Sequence, residues 1–125
     1  MSNKNGMKWI RHSRRCAIYA RDGFACVWCL AVGALTLDHF LARSRGGTNE
    51  SKNLLTSCLR CNSSRKDASP RKWFATLRAR GVDTNATARR VKSALRHPVD
   101  MAVGRALVAW CGLVDDSADA ESEAA

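Results

Sequence analysis

The pattern of apolar and polar positions predicts a short two-stranded hairpin in the first half of the chain. Leu35–His39 and Asn53–Thr56 have the apolar and β-branched content of two short strands. The segment between them, Phe40–Ser51, is polar and basic and contains Gly46-Gly47, which predicts an irregular loop. A loop of this length between two strands is usually functional when it is ordered.

Apolar residues at helical spacing predict helices around the hairpin. A first helix is predicted from Ser13, as its N-cap, to Arg21. Its inner face is predicted to carry Cys16, Tyr19 and Ala20, and its outer face to be basic, formed by Arg11, Arg14, Arg15 and Arg21. A second helix is predicted to begin at Asn62.

Three further helices are predicted in the second half of the chain. Ser69-Pro70 is a strong helix start and Gly81 a helix end, with Trp73, Phe74 and Leu77 on the buried face. The next helix, Asn85–Arg96, is basic through Arg89, Arg90, Lys92 and Arg96, and DNA contact and plain solvation both remain open for this face. The last, Asp100–Cys111, is predicted to pack Val103, Leu107 and Trp110 into the core rather than into a dimer interface.

Two Cys-x-x-Cys pairs predict a metal site. Cys26/Cys29 and Cys58/Cys61 are separated by 28 residues, and each pair can present two sulfurs to one tetrahedral ion. Disulfides are the alternative, but they need an oxidising compartment, and the N-terminus lacks the apolar segment of a signal peptide. We therefore expect a cytoplasmic protein with a structural zinc ion. Cys16 and Cys111 are expected to be inert thiols.

The charge distribution favours a nucleic-acid partner. The 125 residues carry 21 basic and 11 acidic side chains, yet five of the acids lie in the last eleven residues. The first 114 residues therefore hold 21 basic against six acidic side chains, a net charge of +15. Such an excess attracts a polyanion and exceeds what solubility requires. No stretch approaches the length of a membrane span, so no membrane contact is expected.

One domain is expected for a chain of this size. It divides into a flexible basic lead at residues 1–12, a core with the zinc site at 13–69, a helical extension of the same domain at 70–112, and a disordered acidic tail at 113–125. The predicted fold class is α+β.

Polar residues near the hairpin have the chemistry that phosphodiester hydrolysis needs. His39 titrates near neutral pH and can accept a proton from water. Asp38 offers a carboxylate oxygen to a cation, and Asn62, directly after Cys61, offers an amide oxygen. An all-oxygen ligand set favours Mg²⁺ or Mn²⁺ over nickel or zinc at the cutting site. Because adjacent strand residues point to opposite faces, Asp38 and His39 can serve one phosphate only if the strand ends or twists there.

These residues, in this order, resemble the HNH endonuclease family. The resemblance runs from about Cys16 to Asp67 and rests on Leu-Thr-Leu-Asp38-His39, Arg-Ser-Arg-Gly46-Gly47-Thr, Asn53-Leu and Cys58-x-x-Cys61-Asn62. It implies the ββα-metal fold, in which a hairpin and a helix hold one divalent ion. Ala42 stands where proline is usual, Asn62 where histidine is frequent, and Arg65 where lysine is usual.

The resemblance also implies roles for individual residues. His39 is the general base, Asn53 braces the loop that carries it, and Asp38 and Asn62 hold the catalytic ion. Arg43 and Arg45 in the glycine loop, with Arg65 and Lys66 after Asn62, are expected to contact DNA phosphates. His12 and His97 are expected to be non-catalytic.

The sequence therefore predicts a metal-dependent DNA endonuclease with little base specificity. The alternative is a non-catalytic zinc-ribbon protein that binds nucleic acid, which would explain the cysteines and the charge but not Asp38, His39, Asn53 and Asn62. A monomer is expected, with a dimer as the alternative. Compact stand-alone chains of this kind resemble phage enzymes that assist genome packaging alongside other DNA-processing proteins, while restriction and mobile-element roles stay open.

Overall fold

The computed structural model describes residues 10–114, which form five α-helices around one two-stranded antiparallel sheet. The mixed α+β class predicted from the sequence is confirmed. The elements, in chain order, are α1 (His12–Arg21), β1 (Leu35–His39), β2 (Leu54–Cys58), α2 (Leu59–Arg65), α3 (Pro70–Ala79), α4 (Thr84–Arg96) and α5 (Met101–Cys111). Most of the predicted basic lead, residues 1–9, and most of the predicted acidic tail, residues 115–125, lie outside the described residues.

The hairpin places the polar residues of β1 at its outer end. Asp38 pairs with Leu55 and His39 with Leu54 in the antiparallel register. The first strand has the predicted bounds, whereas the second begins one residue later than predicted, because Asn53 belongs to a short 3₁₀ turn that precedes it. Consecutive strand residues point to opposite faces, so Asp38 and His39 leave β1 in different directions.

Two groups of buried side chains hold the hairpin in place. Leu37 and Leu54 pack with Ile10 and Ile18, which ties the sheet to α1. Leu55 belongs to a larger cluster that joins the cysteine pairs to α3 and α4. The other buried members of that cluster are Cys26, Val27, Trp28, Cys58, Cys61, Trp73, Leu77, Val91 and Ala94.

The predicted basic outer face of α1 is wrong. Arg14 and Arg15 are only 1% and 5% exposed, and Ser13, the predicted N-cap, is buried inside the helix while Arg11 occupies the cap position. Part of the reason is that α5 packs against α1 at Ser13 and Ala17, which covers this side of the helix. A Cβ atom on Gly104 of α5 would lie 2.0 Å from the carbonyl oxygen of Ser13, so only glycine fits between the two helices.

The arginines of α1 form internal hydrogen bonds instead of facing solvent. Arg14 donates to the Ser51 hydroxyl at 3.2 Å. Arg21 donates to the carbonyl oxygens of Ser51 and Leu54 at 2.9 and 2.6 Å and pairs with Asp22 at 2.7 Å. These bonds join α1 to the start of β2, next to the loop that leads to the candidate site.

The second helix begins earlier than predicted, at Leu59 rather than at Asn62. Cys58 is its N-cap, and its sulfur accepts a hydrogen bond from the backbone N–H of Cys61 at 3.4 Å. A sulfur that accepts from the helix N-terminus replaces the usual oxygen cap. Asn62 therefore lies within the helix, one turn from its start.

The C-terminal helices begin and end close to the predicted residues, but α5 buries a different face from the predicted one. Ser69 caps α3 by accepting from the backbone N–H of Lys72, and Asp100 caps α5 in the same way. Trp110 and Val103, however, are 87% and 39% exposed, so their predicted place in the core is wrong. The helix buries Gly104 and Val108 instead, because α1 lies against that side.

Candidate active site and metal centre

The four cysteines of the two pairs converge on one point. The sulfur atoms of Cys26, Cys29, Cys58 and Cys61 all lie within 4.8 Å of one another, and none of them forms a disulfide. The Cys29 and Cys58 sulfurs are 3.7 Å apart. Zinc–sulfur bonds of about 2.3 Å in a tetrahedron place sulfurs roughly 3.8 Å apart. The quartet is thus positioned to hold one metal ion.

The electrostatics of the thiols also favour a bound cation. Burial raises the pKa of Cys61, and the negative charge of Cys26 raises it further. Burial also raises the pKa of Cys29. Desolvation acts in the same sense on Cys58, but its pKa is lowered because its sulfur accepts hydrogen bonds from the backbone and side chain of Cys61 and from two other thiols. Four thiolates at this spacing repel one another unless a cation neutralises them.

Asn53 braces the loop that follows β1. Its Oδ1 accepts from the backbone N–H of Leu41 at 2.9 Å, and its Nδ2 donates to the carbonyl oxygens of Leu41 and Thr48 at 3.0 and 2.8 Å. A Cβ atom on Gly47 would lie 1.7 Å from the Leu41 carbonyl oxygen, so the loop closes only with glycine there. These are the side-chain to backbone bonds that the resemblance implied for Asn53.

His39 lies at the end of β1 and is oriented by a residue that the sequence did not single out. Its Nε2 is 2.8 Å from Oδ1 of Asn49. An amide oxygen can only accept, so Nε2 carries the proton and the neutral ring has its lone pair on Nδ1. Burial lowers the pKa of His39, although Asn49 and Asp38 partly oppose this effect. The ring is therefore neutral at pH 7.

Asp38 is buried on the other face of β1. Its Oδ2 accepts from Nε1 of Trp28 and from Nη1 of Arg65, both at 3.0 Å. Burial raises the pKa of Asp38, and the Arg65 guanidinium partly offsets that effect. Within residues 10–114, both hydrogen bonds to this carboxylate are made to Oδ2.

Arg65 is placed differently from the sequence prediction, which had it on a DNA phosphate. It is 2% exposed and its guanidinium donates to Asp38 and to the carbonyl oxygens of His39, Phe40 and Ala68. It also lies over the Trp28 ring, 5.3 Å from the ring centroid. The planar guanidinium can bind several acceptors at once, which a lysine ammonium cannot do with the same geometry. The buried Arg65 side chain thus holds the end of β1 in place through these hydrogen bonds.

We expect Arg65→Met to lower the free energy of unfolding by about 3–5 kcal/mol, because it leaves the Asp38 carboxylate buried without its charge partner. Chemical denaturation of the metal-loaded protein measures this loss. Arg78→Met is the matched control, since Arg78 is an exposed residue of α3, and it should unfold within about 0.5 kcal/mol of the parent. Equal stability of the two variants would contradict the structural role of Arg65.

Asn62 projects from α2 toward β1. Its Nδ2 donates to the carbonyl oxygen of Leu37 at 2.9 Å, which fixes the amide and directs Oδ1 away from that carbonyl. Leu37 directly precedes Asp38, so the Asn62 side chain is bonded to the β1 backbone next to Asp38. The structure brings the start of α2 and the end of the hairpin together at this point.

The remaining basic residues of the prediction are exposed. Arg43, Arg45 and Lys66 all face solvent, and Arg45 donates to the carbonyl oxygen of Asp67 at 2.8 Å. The loop is therefore fastened to the segment that follows α2.

Sequence reasoning missed Asn49 and Trp28. Asn49 lies in an irregular loop, where an asparagine is usually a turn residue, and no spacing rule pairs it with His39. Trp28 lies between two zinc-type cysteines, and its indole N–H, which requires an acceptor when buried, was the available signal.

The comparisons with known proteins agree with this geometry over the hairpin and α2. A family model described as HNH endonuclease matches residues 26–68, about a third of the 125-residue chain. Curated proteins and solved structures gave no match. Within residues 10–114, no helix has the length and apolar character needed to cross a membrane. Residues 26–68 therefore match the HNH endonuclease family, and four cysteines in this segment are positioned to bind one metal ion.

Proposed function

We propose that this protein is a divalent-metal-dependent DNA endonuclease that hydrolyses phosphodiester bonds. The observation that carries the proposal is that three polar side chains at the end of β1 and the start of α2 are each held by a specific hydrogen bond. His39 is oriented there by Asn49, Asp38 by Arg65 and Trp28, and Asn62 by the Leu37 carbonyl. A domain that only bound nucleic acid would have no need for an oriented neutral histidine beside a carboxylate.

His39 acts as the general base in this proposal. With Nε2 donating to Asn49, Nδ1 accepts the proton of the attacking water as its oxygen approaches phosphorus. The Asn49 amide oxygen then stabilises the imidazolium that forms. The hydrogen bonds of Asn53 hold the loop after His39 in one conformation, so the base does not need to reorganise during the reaction.

Asp38 and Asn62 would hold the catalytic Mg²⁺ or Mn²⁺. Their donor set fits such an ion, because within the described residues both hydrogen bonds to the Asp38 carboxylate are made to Oδ2 and Asn62 presents an amide oxygen. A bound divalent ion supplies charge stabilisation to the phosphate oxygens and to the leaving 3′ oxygen. Arg65 and Trp28 keep the Asp38 carboxylate in a single orientation toward that position.

The ion at the cysteine quartet is proposed to be structural zinc. Four sulfur ligands leave no open position for a substrate, which distinguishes structural from catalytic zinc sites. The quartet also joins the knuckle at Cys26–Cys29 to the start of α2, and Asn62 follows Cys61 directly. Metal binding thereby fixes the position of a catalytic side chain.

Duplex DNA is the proposed substrate. An HNH domain implies a nucleic acid, and the first 114 residues carry a large positive charge. Arg43, Arg45 and Lys66 are exposed around the site and would contact phosphates on either side of the cut. Such contacts position the backbone without reading its sequence.

Incubation of supercoiled plasmid with the zinc-loaded protein tests the proposal. We expect nicked or linear product with added Mg²⁺ or Mn²⁺ and intact plasmid without added ion. Retarded but uncut plasmid under every metal condition would instead support the zinc-ribbon binding module and contradict the nuclease assignment.

Asn49→Ala should lower kcat by roughly tenfold with KM nearly unchanged, because the loss of the acceptor frees the His39 ring to rotate and to adopt the other tautomer. Single-turnover cleavage at saturating protein measures the rate. Asn49→Asp retains the acceptor oxygen and should recover most of the activity. An Asn49→Ala rate equal to that of the parent would remove Asn49 from the mechanism.

A further inference from the structure

Helix α4 has a basic face that the proposed active site does not use. Arg89, Lys92 and Arg96 are exposed, and their spacing of three, four and seven residues places them on one side of the helix. The opposite side buries Thr87, Val91 and Ala94. These three basic residues are called the α4 stripe below.

The α4 stripe differs from the arginines that hold the fold together. Arg90, on the same helix, donates to the carbonyl oxygen of Val27 at 3.0 Å and to the Thr87 hydroxyl at 3.2 Å. Within residues 10–114 no carboxylate lies within ion-pair distance of the stripe, and the helix itself contains no acidic residue. The stripe therefore presents three uncompensated positive charges to solvent.

At Arg96 the stripe borders the segment that follows Asn49. It lines a groove of about 410 Å³ together with Ser93 and His97. Arg96 and His97 also line a neighbouring groove, whose other wall is formed by residues 50–52. That segment follows Asn49, the residue that orients His39. A continuous surface thus connects the stripe with the segment beside the proposed site.

We propose that the α4 stripe binds the phosphate backbone of duplex DNA beyond the cut site, an inference that rests on the proposed nuclease function. With a helical rise of 1.5 Å per residue, Arg89 and Arg96 are roughly 10 Å apart along the axis. This distance corresponds to about three base-pair steps of one DNA strand at 3.4 Å of rise per step. The positive charge, spacing and position of the stripe suit it to hold the DNA that leaves the active site, without sequence preference.

Binding of a labelled 30-base-pair duplex tests the stripe, measured by fluorescence anisotropy at several salt concentrations without added divalent ion. The test uses the full-length, zinc-loaded chain carrying His39→Ala, so that the DNA stays intact. The test variant adds Arg89→Gln, Lys92→Gln and Arg96→Gln. The matched control adds Arg71→Gln, Arg78→Gln and Arg105→Gln, which removes the same charge from exposed positions on α3 and α5.

We expect the stripe variant to bind the duplex at least about tenfold more weakly than the His39→Ala protein without the stripe substitutions. The slope of log K against log salt should become shallower by about 2 to 3, since each lost phosphate contact contributes about 0.9. The control should change the slope by less than about 1. Equal affinities and slopes for the two triple variants would overturn the inference. That result differs from failure of the nuclease proposal, which is an uncut plasmid with the parent protein.

Discussion

Replacing His39 with alanine should reduce the rate of DNA cleavage by about 100-fold or more, because a general base contributes at least that factor in enzymes of this type. The loss should appear in kcat rather than in DNA affinity, since the imidazole acts on water in the transition state. Single-turnover cleavage of plasmid measures the rate, and anisotropy with a labelled duplex measures affinity.

His12→Ala provides the matched control for this prediction. His12 is the first residue of α1 and forms none of the hydrogen bonds that hold His39, Asp38 or Asn62, so the His12→Ala variant should cut DNA at the parental rate. A His39→Ala protein that cleaves as fast as the His12→Ala control, at the same metal concentration and pH, would show that His39 is not the base.

Substituting Cys58 with serine should abolish the cooperative fold of the domain. Cys58 belongs to the sulfur quartet and also caps α2, so its loss affects the metal, the helix start and the large buried cluster together. Structural zinc contributes about 10–16 kcal/mol of apparent binding free energy. A domain of this size has a total stability of about 5–15 kcal/mol. Circular dichroism during thermal unfolding measures the effect.

Cys111→Ser separates a specific loss from a general effect of thiol removal. Cys111 is the last residue of α5, is exposed and does not belong to the quartet, so its variant should melt like the parent. If Cys58→Ser unfolded at the same temperature as Cys111→Ser, the quartet would not stabilise the domain.

The metal centre and the hairpin could be predicted because their signals are local. A gap of two residues between cysteines fixes the knuckle geometry, and β-branched and apolar residues fix β1, whichever way the rest of the chain folds. The caps at Ser69 and Asp100 are equally local, since each side chain bonds to a backbone N–H two or three residues further on. Such features depend on few neighbours.

The arginines could not be placed from the sequence because their partners lie far along the chain. Arg14 bonds to Ser51, 37 residues away, and Arg65 to Asp38, 27 residues away. A charged residue is usually exposed, so prediction placed both on the surface. Only the folded chain provides the acceptors that let each guanidinium be buried. The same limit explains why Asn49 was missed, since its contact with His39 depends on loop closure.

Exposure of Trp110 has a similar origin. The spacing of apolar residues along α5 predicts one buried side, but helix packing selects which side. Because α1 approaches closely at Gly104, the buried side contains small residues and Trp110 faces outward. The apolar spacing therefore predicted the helix α5 correctly but placed Trp110 on the wrong side of it.

Two ions with separate roles are proposed for this protein, and one measurement on a single sample tests this division. The protein is dialysed exhaustively against metal-free buffer, its zinc content is determined by elemental analysis, and plasmid cleavage is assayed before and after addition of Mg²⁺ or Mn²⁺. We predict about one zinc per chain, no cleavage as dialysed, and cleavage once the divalent ion is added, because four thiolates retain zinc whereas Asp38 and Asn62 alone cannot retain their ion. A zinc-loaded sample that cuts DNA without added ion, or that fails to cut with it, would contradict the account.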